Sequence, residues 1–388
     1  MTTAWLGYPL EELAARGAGH TAGEIAQQPD LWREVARTTA SRCEETAAFL
    51  QPLLARADLR IVLTGAGSSA FAGQILAPAL SARLRRRVDA VPTTDIVADP
   101  GACFAEDRPT LLVSFARSGD SPESVAATEL ADHLLSDVHH LVLTCNAAGE
   151  LHRRHVGSQR SLVLLMPEPS NDKGFAMTSS FTSMLLAAWL TLGGLAAGDE
   201  GLVERLAVAA EKVMVTYGGA ARALAERGYQ RVVYLGSGAL TGLAHESALK
   251  LLELTAGGVV TYFDSALGFR HGPKSVLDDR TLVLVYVSND DHTRQYDLDL
   301  TDELRRTLAR EDVVTISARG RESLDADTWW IEGLEDAADA SLSLPFVVCA
   351  QLVGLHFSLT LGRTPDNPFP SGEVNRVVQG VTIYPFPS

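Results

Sequence analysis

The sequence has 388 residues, of which 46% are hydrophobic and 21% are charged, and it carries a formal net charge of −15 at pH 7. This length favours two domains over one, and the composition is that of a folded globular protein rather than a disordered chain. The acidic balance excludes nucleic-acid binding as a main role, because that role requires a basic surface.

Cysteine usage and hydropathy predict a cytoplasmic protein with no membrane contact. Widely spaced cysteines without a CxxC pair favour a reducing compartment over a disulfide framework or a zinc ribbon. The first residues, MTTAWLGYPLEEL, lack a basic stretch followed by an apolar run, so we expect no signal peptide. The most apolar stretch, 184–198, is shorter than the roughly 20 residues that span a bilayer, and it predicts a buried helix. The four cysteines are Cys43, Cys103, Cys145 and Cys349.

The first half of the chain predicts helices followed by a parallel sheet. Residues 1–44 form a helical N-terminal segment, in which Asp30 is the expected N-cap of one helix. Short apolar strands then alternate with helices, a pattern typical of a parallel sheet covered on both faces. The predicted strands lie at 60–64, 88–92, 110–114, 140–144 and 161–165.

The second half repeats this pattern, which indicates an internal duplication. A strand, a Gly-x-Gly turn and a helix occur at 60–85 and again at 231–256. The predicted fold class is therefore α/β, with two tandem doubly wound parallel-sheet units (αβα sandwiches) at 45–200 and 201–388. The later strands are predicted at 231–235, 259–263, 281–287 and 313–317, and the later helices at 201–227, 240–255, 295–310 and 345–361.

Two polar loops at strand ends predict a phosphate site. The loop GAGSS follows the first strand, where Gly67 allows close backbone approach and Ser68 and Ser69 add hydroxyl donors at a helix start. The loop ARSGDS follows the third strand and brings Arg117, Ser118 and Ser121 to another helix start. In open parallel sheets ligands bind beyond the carboxyl ends of the strands, so both loops suit a phosphate monoester.

Two other interpretations of these loops stay open. The serines could be helix N-caps, with the glycines only turning the chain. GAGSSA also fits a dinucleotide-binding fingerprint, with Asp89 as the downstream acid. Asp89, however, begins the second strand, whereas a ribose-binding acid belongs at its carboxyl end.

One predicted helix and one loop carry candidates for acid–base chemistry. Glu246, Lys250 and Glu253 are spaced i, i+4 and i+7, on one face of the helix. They form either an ordinary exposed ion pair or a site in which Glu253 transfers protons and Lys250 holds an anionic intermediate. His271 lies in the loop GFRHGPK, where a neutral imidazole could move a proton during sugar ring opening.

The remaining paired histidines predict no metal site. No carboxylate or cysteine pattern completes a ligand set around them, so we expect them at the surface. They are His139, His140, His152 and His155.

Several segments together resemble the sugar isomerase (SIS) domain family, with two SIS units over about residues 45–388. Residues 169–185 and 365–380 resemble its AgaS-type branch of galactosamine-6-phosphate deaminase/isomerases, also labelled tagatose-6-phosphate ketose/aldose isomerases. The chain is also similar to the isomerase half of glucosamine-6-phosphate synthase but lacks its glutaminase domain, so ammonia transfer from glutamine is not expected. The segments are GAGSSAFAG, SFARSGDSPES, LGSGALTGLAHESALKLLEL, GFRHGPKS and PDNPFPSGEVNRVVQG.

The resemblance implies roles for the residues of the polar loops. It makes Ser69, Ser118 and Ser121 phosphate ligands, and it places Arg117 where the synthase has a glutamine. Ser237 lies in GSGAL, the second Gly-x-Gly loop, and is included among the expected binding residues. Gln379 stands where the synthase has a lysine that forms a Schiff base, which favours direct chemistry on an amino sugar.

The resemblance also implies a catalytic set. Glu253 matches the isomerase base, Lys250 matches the lysine near the substrate, and His271 matches a ring-opening histidine donated by the neighbouring subunit. The expected protein is therefore a homodimer that binds a phosphorylated amino sugar, without metal or organic cofactor.

The implied reaction converts galactosamine 6-phosphate to tagatose 6-phosphate and ammonia. Three alternatives remain: a plain ketose/aldose phosphate isomerase, a deaminase specific for the glucosamine/fructose pair, and a non-catalytic sugar-phosphate sensor. A sensor needs the serine loops but neither Glu253 nor His271.

Overall fold

The computed structural model describes residues 6–194, 200–320, 327–378 and 380–386. The chain forms two compact units, each built on one five-stranded sheet. The first-sheet unit takes its residues from 31–171, 179–199 and 372–388, and the second-sheet unit from 1–30, 172–178 and 200–371. The predicted boundaries at residues 44 and 200 follow chain order and stay a prediction.

The first sheet has the order β2-β1-β3-β4-β5, and all its strand pairs are parallel. Every residue of β3 is buried, because helices cover both faces of the sheet. Thr64 at the end of β1 lies beside Ser114 of β3. The strands are β1 (Arg60–Thr64), β2 (Val88–Ala90), β3 (Thr110–Ala116), β4 (Val138–Thr144) and β5 (Ser161–Leu165).

In the described part of the chain, eight α-helices accompany this sheet. One apolar cluster packs Ile96 and Ala127 against Leu112 of β3. The helices are α3 (Gln28–Ser41), α4 (Cys43–Leu54), α5 (Ser68–Leu84), α6 (Thr93–Ala98), α7 (Pro100–Cys103), α8 (Pro122–Leu134), α9 (Glu150–His155) and α10 (Ser179–Leu192), with one 3-10 turn at Glu168–Ser170.

The second sheet has the order β10-β9-β8-β6-β7 and is likewise parallel throughout. Read from β7, this order repeats that of the first sheet, so the predicted duplication and the predicted α/β class are confirmed. The strands are β6 (Arg231–Leu235), β7 (Val260–Asp264), β8 (Thr281–Val287), β9 (Val313–Ser317) and β10 (Thr328–Trp330).

Among the residues that the structure describes, seven α-helices belong to the second-sheet unit. The N-terminal helix α2 packs on α15, and Val283 and Val285 of β8 lie in an apolar cluster with Leu300 of α14. The helices are α1 (Leu10–Ala15), α2 (Gly19–Ala26), α11 (Glu200–Glu226), α12 (Ala239–Leu254), α13 (Ala266–Phe269), α14 (Asp291–Leu304) and α15 (Asp339–Thr360), with 3-10 turns at Pro273–Val276 and Arg310–Asp312.

Two helices are apolar over most of their length. All fourteen residues of α10 are buried, as expected for the stretch that begins at Met184; that stretch runs on past 194 into residues outside the described part. In the described part of the chain, α15 alone is long and apolar enough to cross a membrane, and its most apolar window is entirely buried within the fold. Such burial is typical of the core helix of a globular unit.

The expectation that the paired histidines lie at the surface is wrong for two of them. His140 and His155 are buried, with ring centroids 4.6 Å apart. His140 Nε2 lies 3.0 Å from Asp132, and His155 Nδ1 lies 2.9 Å from Ser161 Oγ. Each imidazole therefore has one polar partner, while His140 Nδ1 is buried without one in the described part of the chain. The sequence spacing could not reveal these contacts.

The buried imidazole of His356 should make the protein sensitive to acid. It lies in α15, stacked on Tyr8 with ring centroids 5.3 Å apart, and burial lowers its pKa to about 4. Between pH 6.5 and 4 the unfolded chain binds more protons at this position, so the stability that the neutral ring provides is lost as pH falls. The shift corresponds to about 3 kcal/mol.

We predict that His356→Gln removes this part of the pH dependence. Urea unfolding of both proteins at pH 7.5, 6.0 and 4.5 measures it, and the slope of unfolding free energy against pH should be smaller in the variant. His292→Gln, at an exposed position, is the control and should keep the wild-type slope. Equal slopes for all three proteins would contradict the prediction.

Candidate functional site

The loop between β1 and α5 is built around glycines. Gly67 has φ 55° and ψ −129°, a backbone conformation that favours glycine. A side chain at Gly65 would place its Cβ 2.6 Å from the carbonyl carbon of Ser69. Ser68 and Ser69 are the first two residues of α5 and are buried. The N–H groups of Ser69 and Ala70 donate to the carbonyls of Ala66 and Gly67, so the loop is tied to the start of the helix at the point where the serine hydroxyls occur.

The loop between β3 and α8 follows the neighbouring strand at the same edge of the sheet. Ser121 precedes α8, and its hydroxyl donates to Ser124 Oγ at 2.6 Å. The hydroxyl of Ser118 accepts the N–H of Asp120 at 3.3 Å, and the Ser118 carbonyl accepts from Asn146 at 2.8 Å. Asn146 lies two residues beyond the end of β4, a position that no sequence motif singled out.

The point between β1 and β3 is where the strand order reverses, because β2 lies on one side of β1 and β3 to β5 on the other. Ligands of open parallel sheets bind at such a switch point. Six buried hydroxyls of the first-sheet unit have no hydrogen-bond partner in the described part of the chain, and three of them, those of Thr64, Thr93 and Ser114, lie near this switch point. Thr64 ends β1, Ser114 lies beside it within β3, and Thr93 begins α6 just after β2. Buried hydroxyls ordinarily have partners. No local sequence pattern distinguishes these three from ordinary core residues.

Arg117 connects this loop to the C-terminal tail. Its side chain is buried, and its guanidinium donates to the carbonyl oxygen of Arg376 at 2.6 Å. The guanidinium therefore has a protein acceptor beside the serine loop. Gln379, three residues further along the tail, lies outside the described residues.

In the second-sheet unit, α12 buries a charged trio. Lys250 Nζ lies 2.5 Å from Glu253 Oε2 and 3.5 Å from Glu246 Oε1. Lys250 and Glu246 are fully buried, while the Glu253 side chain is 24% exposed. The interpretation as an ordinary exposed ion pair is therefore wrong. A buried ammonium needs counter-charges, and of the three charged groups only Glu253 reaches solvent.

The loop that carries His271 is held by charge. His271 is exposed, and its N–H donates to the Gly268 carbonyl at 2.9 Å. Arg270 donates to Glu303 of α14 at 2.8 Å, and Lys274 bonds the same carboxylate. These two cations, Lys274 first, lower the pKa of Glu303. The histidine thus projects from a fixed loop.

Ser237 does not have the environment expected of a phosphate ligand. It lies between Gly236 and Gly238 at the start of α12, but its hydroxyl donates to Asp297 at 2.5 Å. Burial raises the pKa of Asp297 to about 6. No three His, Cys, Asp or Glu side chains within the described ranges come together in a way that could hold a metal ion.

Comparison with known proteins places this architecture among sugar-phosphate enzymes. The SIS domain profile matches residues 53–192. D-galactosamine-6-phosphate deaminase AgaS of Escherichia coli is 44% identical over 376 residues, covering 96% of this chain and 97% of that protein. A Streptomyces coelicolor relative, provisionally assigned the same name, is 60% identical over 388 residues, covering 99% of each chain. The crystal structure of tagatose-6-phosphate ketose/aldose isomerase from Escherichia coli has a TM-score of 0.87 at 40% identity, covering 95% and 97%.

We predict that Gly65→Ala destabilises the protein by about 1–3 kcal/mol, because the added Cβ would collide with the backbone of Ser69. Gly23→Ala is the matched control: it lies within α2 with no atom near the added Cβ, so it should be neutral or stabilising. Guanidinium unfolding of the three proteins measures the difference. Equal midpoints for Gly65→Ala and wild type would show that the loop is not close-packed.

Proposed function

This chain belongs to the AgaS family of SIS-domain proteins, and we propose that it converts galactosamine 6-phosphate to tagatose 6-phosphate and ammonia. The chain covers 97% of the Escherichia coli deaminase at 44% identity, so the likeness extends over a whole enzyme and not over one domain. The observation that carries the proposal is the fully buried Lys250 bonded to a partly exposed Glu253. An acid–base pair of this kind is needed by an isomerase and not by a sensor.

The phosphate of the substrate is held at the β1/β3 switch point. Ser69, Ser118 and Ser121 supply hydroxyls, while Gly67 and Ser68 bring backbone N–H groups of the helix start to the anion. The buried hydroxyls beside these loops support a polar ligand at this edge. Binding energy from the phosphate helps to position the reacting carbons.

The chemistry begins with ring opening, assisted by His271. Glu253 then takes the proton from carbon 2, and Lys250 stabilises the negative charge that develops on the enolamine. Return of the proton at carbon 1 gives a ketimine. Water adds to carbon 2, and the carbon–nitrogen bond breaks to release ammonia and the ketose. Every step uses protein side chains, and Gln379 replaces the lysine that would form a Schiff base.

A plain ketose/aldose phosphate isomerase is the second candidate, because the similar crystal structure from Escherichia coli carries that name. The same proton transfer between carbons 2 and 1 serves both reactions. Ammonia release separates them.

The proposed assembly is a cytoplasmic homodimer in which His271 acts in the partner's site. The exposure of His271 supports this, and exposed apolar residues occur on α12, β7 and α13 of the same unit. The four cysteines are all free, in keeping with a reducing compartment. The apolar residues are Leu252, Val260 and Leu267, with exposed fractions of 41%, 56% and 46%.

We predict that Glu253→Gln lowers ammonia release from galactosamine 6-phosphate by about 10²–10⁴-fold, the usual contribution of a general base. Sugar-phosphate affinity, measured by calorimetry, should stay close to that of the wild type because the serine loops are intact. Glu332→Gln, on a surface glutamate that pairs with Lys212, controls for loss of charge and should keep full turnover. Undiminished turnover in Glu253→Gln would rule out this base.

We also predict complementation between two inactive chains. Glu253→Gln and His271→Asn, co-expressed with different tags and purified as mixed dimers, should regain activity, because one of the two sites then has both residues intact. Purified mixed dimers should have about half of the wild-type activity, and an unsorted mixture of the three dimers about one quarter. If the mixed dimers stay as inactive as either parent, His271 does not act across a dimer interface.

A further inference from the structure

The two units have the same topology, yet their switch points differ chemically. Gly238 has φ 59° and ψ −125°, almost the values of Gly67, and a Cβ at Gly236 would lie 2.7 Å from the Leu240 carbonyl oxygen. The backbone of the second Gly-x-Gly turn therefore repeats the first. The first two residues of the following helix are Ala239 and Leu240, however, where α5 begins with two serines.

The strand ends show the same replacement of hydroxyl side chains by aliphatic ones. Leu235 ends β6 and lies beside Val285 of β8, whereas the equivalent pair in the first sheet is Thr64 beside Ser114. At these four positions, Thr64, Ser68, Ser69 and Ser114, the hydroxyls of the first-sheet unit are thus replaced by aliphatic side chains in the second.

One carboxylate bridges the two loops of the second switch point. Asp297 Oδ1 accepts the Ser237 hydroxyl at 2.5 Å, after β6, and Asp297 Oδ2 accepts the Ser288 N–H at 3.0 Å, after β8. Asp297 is fully buried. It is the seventh residue of α14, and the seventh residue of the equivalent helix α8 is Thr128, whose hydroxyl bonds its own helix at the Val125 carbonyl.

A second carboxylate accepts further hydrogen bonds from the loop after β8. Asp339, the first residue of α15, accepts the Ser288 hydroxyl at 2.6 Å and the Asn289 N–H at 2.9 Å. The donors of the loop after β8 are therefore engaged by carboxylates of the same unit. Removing either carboxylate would leave buried N–H or O–H donors without an acceptor, which costs folding free energy.

We infer that Asp297 is a built-in anionic ligand of the β6/β8 switch point, which closes the second unit to phosphate and leaves each chain with one phosphate site. The inference rests on the proposed function only for the identity of that one site, at β1/β3. Ser237, which was expected to bind phosphate, is on this inference a hydrogen-bond donor to Asp297 instead.

Chemical rescue tests the inference directly. Asp297→Ala removes the carboxylate, so its melting temperature at pH 7.5 should be lowered and should rise with added formate along a saturating curve. Potassium chloride at equal ionic strength should give no such rise. Asp99→Ala is the matched control: Asp99 accepts a backbone N–H in an exposed cap of α7, where a bound formate would gain little.

A melting temperature of Asp297→Ala that responds equally to formate and to chloride would overturn the inference. If the variant folds only in the presence of formate, that requirement is itself the expected rescue.

Phosphate stoichiometry gives a second measurement that does not depend on the variant. Equilibrium dialysis of the wild-type protein against inorganic phosphate should give one site per chain, and Ser118→Ala should weaken it. Two sites of comparable affinity would overturn the inference. Failure of the proposed β1/β3 site is distinguishable, because it would abolish phosphate binding while formate still rescued Asp297→Ala.

Discussion

The reversal of strand order in each parallel sheet is the constraint on which the rest of the structure depends. At a switch point the loops after two neighbouring strands leave in opposite directions, so a crevice forms at the carboxyl edge. Helix starts and backbone N–H groups then face a common ligand. In the first-sheet unit this edge carries serines and buried hydroxyls, and in the second-sheet unit the carboxylate of Asp297 lies across it. Duplication of one fold has thus produced two edges with opposite chemistry.

Burial of a charged trio gives α12 its distinct character. The ammonium of a lysine that is fully removed from water needs counter-charges, and Lys250 has the carboxylates of Glu246 and Glu253 beside it. Of the three charged side chains, Glu253 alone is partly exposed, so a substrate could contact the trio only through that carboxylate. In the proposed reaction, Glu253 accepts the proton from carbon 2 while the Lys250 ammonium compensates the negative charge that develops on the substrate.

Strands were the best predicted part of the fold. Continuous apolar runs gave β1, β5, β6, β8 and β9 to the residue, because buried parallel strands have an unambiguous composition. Helix ends were less accurate. The helix predicted at 295–310 is α14, which starts at Asp291 because Asp290 caps it through the N–H groups of His292 and Thr293. The helix predicted from Pro345 starts at Asp339, since the proline is accommodated inside α15.

The candidate site was predictable in composition but not in contacts. The serine loops and the Glu–Lys–Glu spacing are local patterns, and these could be recognised from the sequence. The bond from Ser237 to Asp297 joins residues 60 positions apart, and the Arg117 bond to Arg376 spans 259. Such pairings depend on tertiary packing, which no local pattern encodes. The burial of His140 and His155 was missed for the same reason.

The most direct test of the proposed reaction is ammonia release by the purified protein from galactosamine 6-phosphate, with glucosamine 6-phosphate measured in parallel. The account predicts ammonia and tagatose 6-phosphate in equal amounts from the galacto sugar, and much slower release from the gluco sugar. Absence of ammonia from both sugars would contradict it. In that case, ketose formation from unaminated hexose 6-phosphates would identify a plain isomerase.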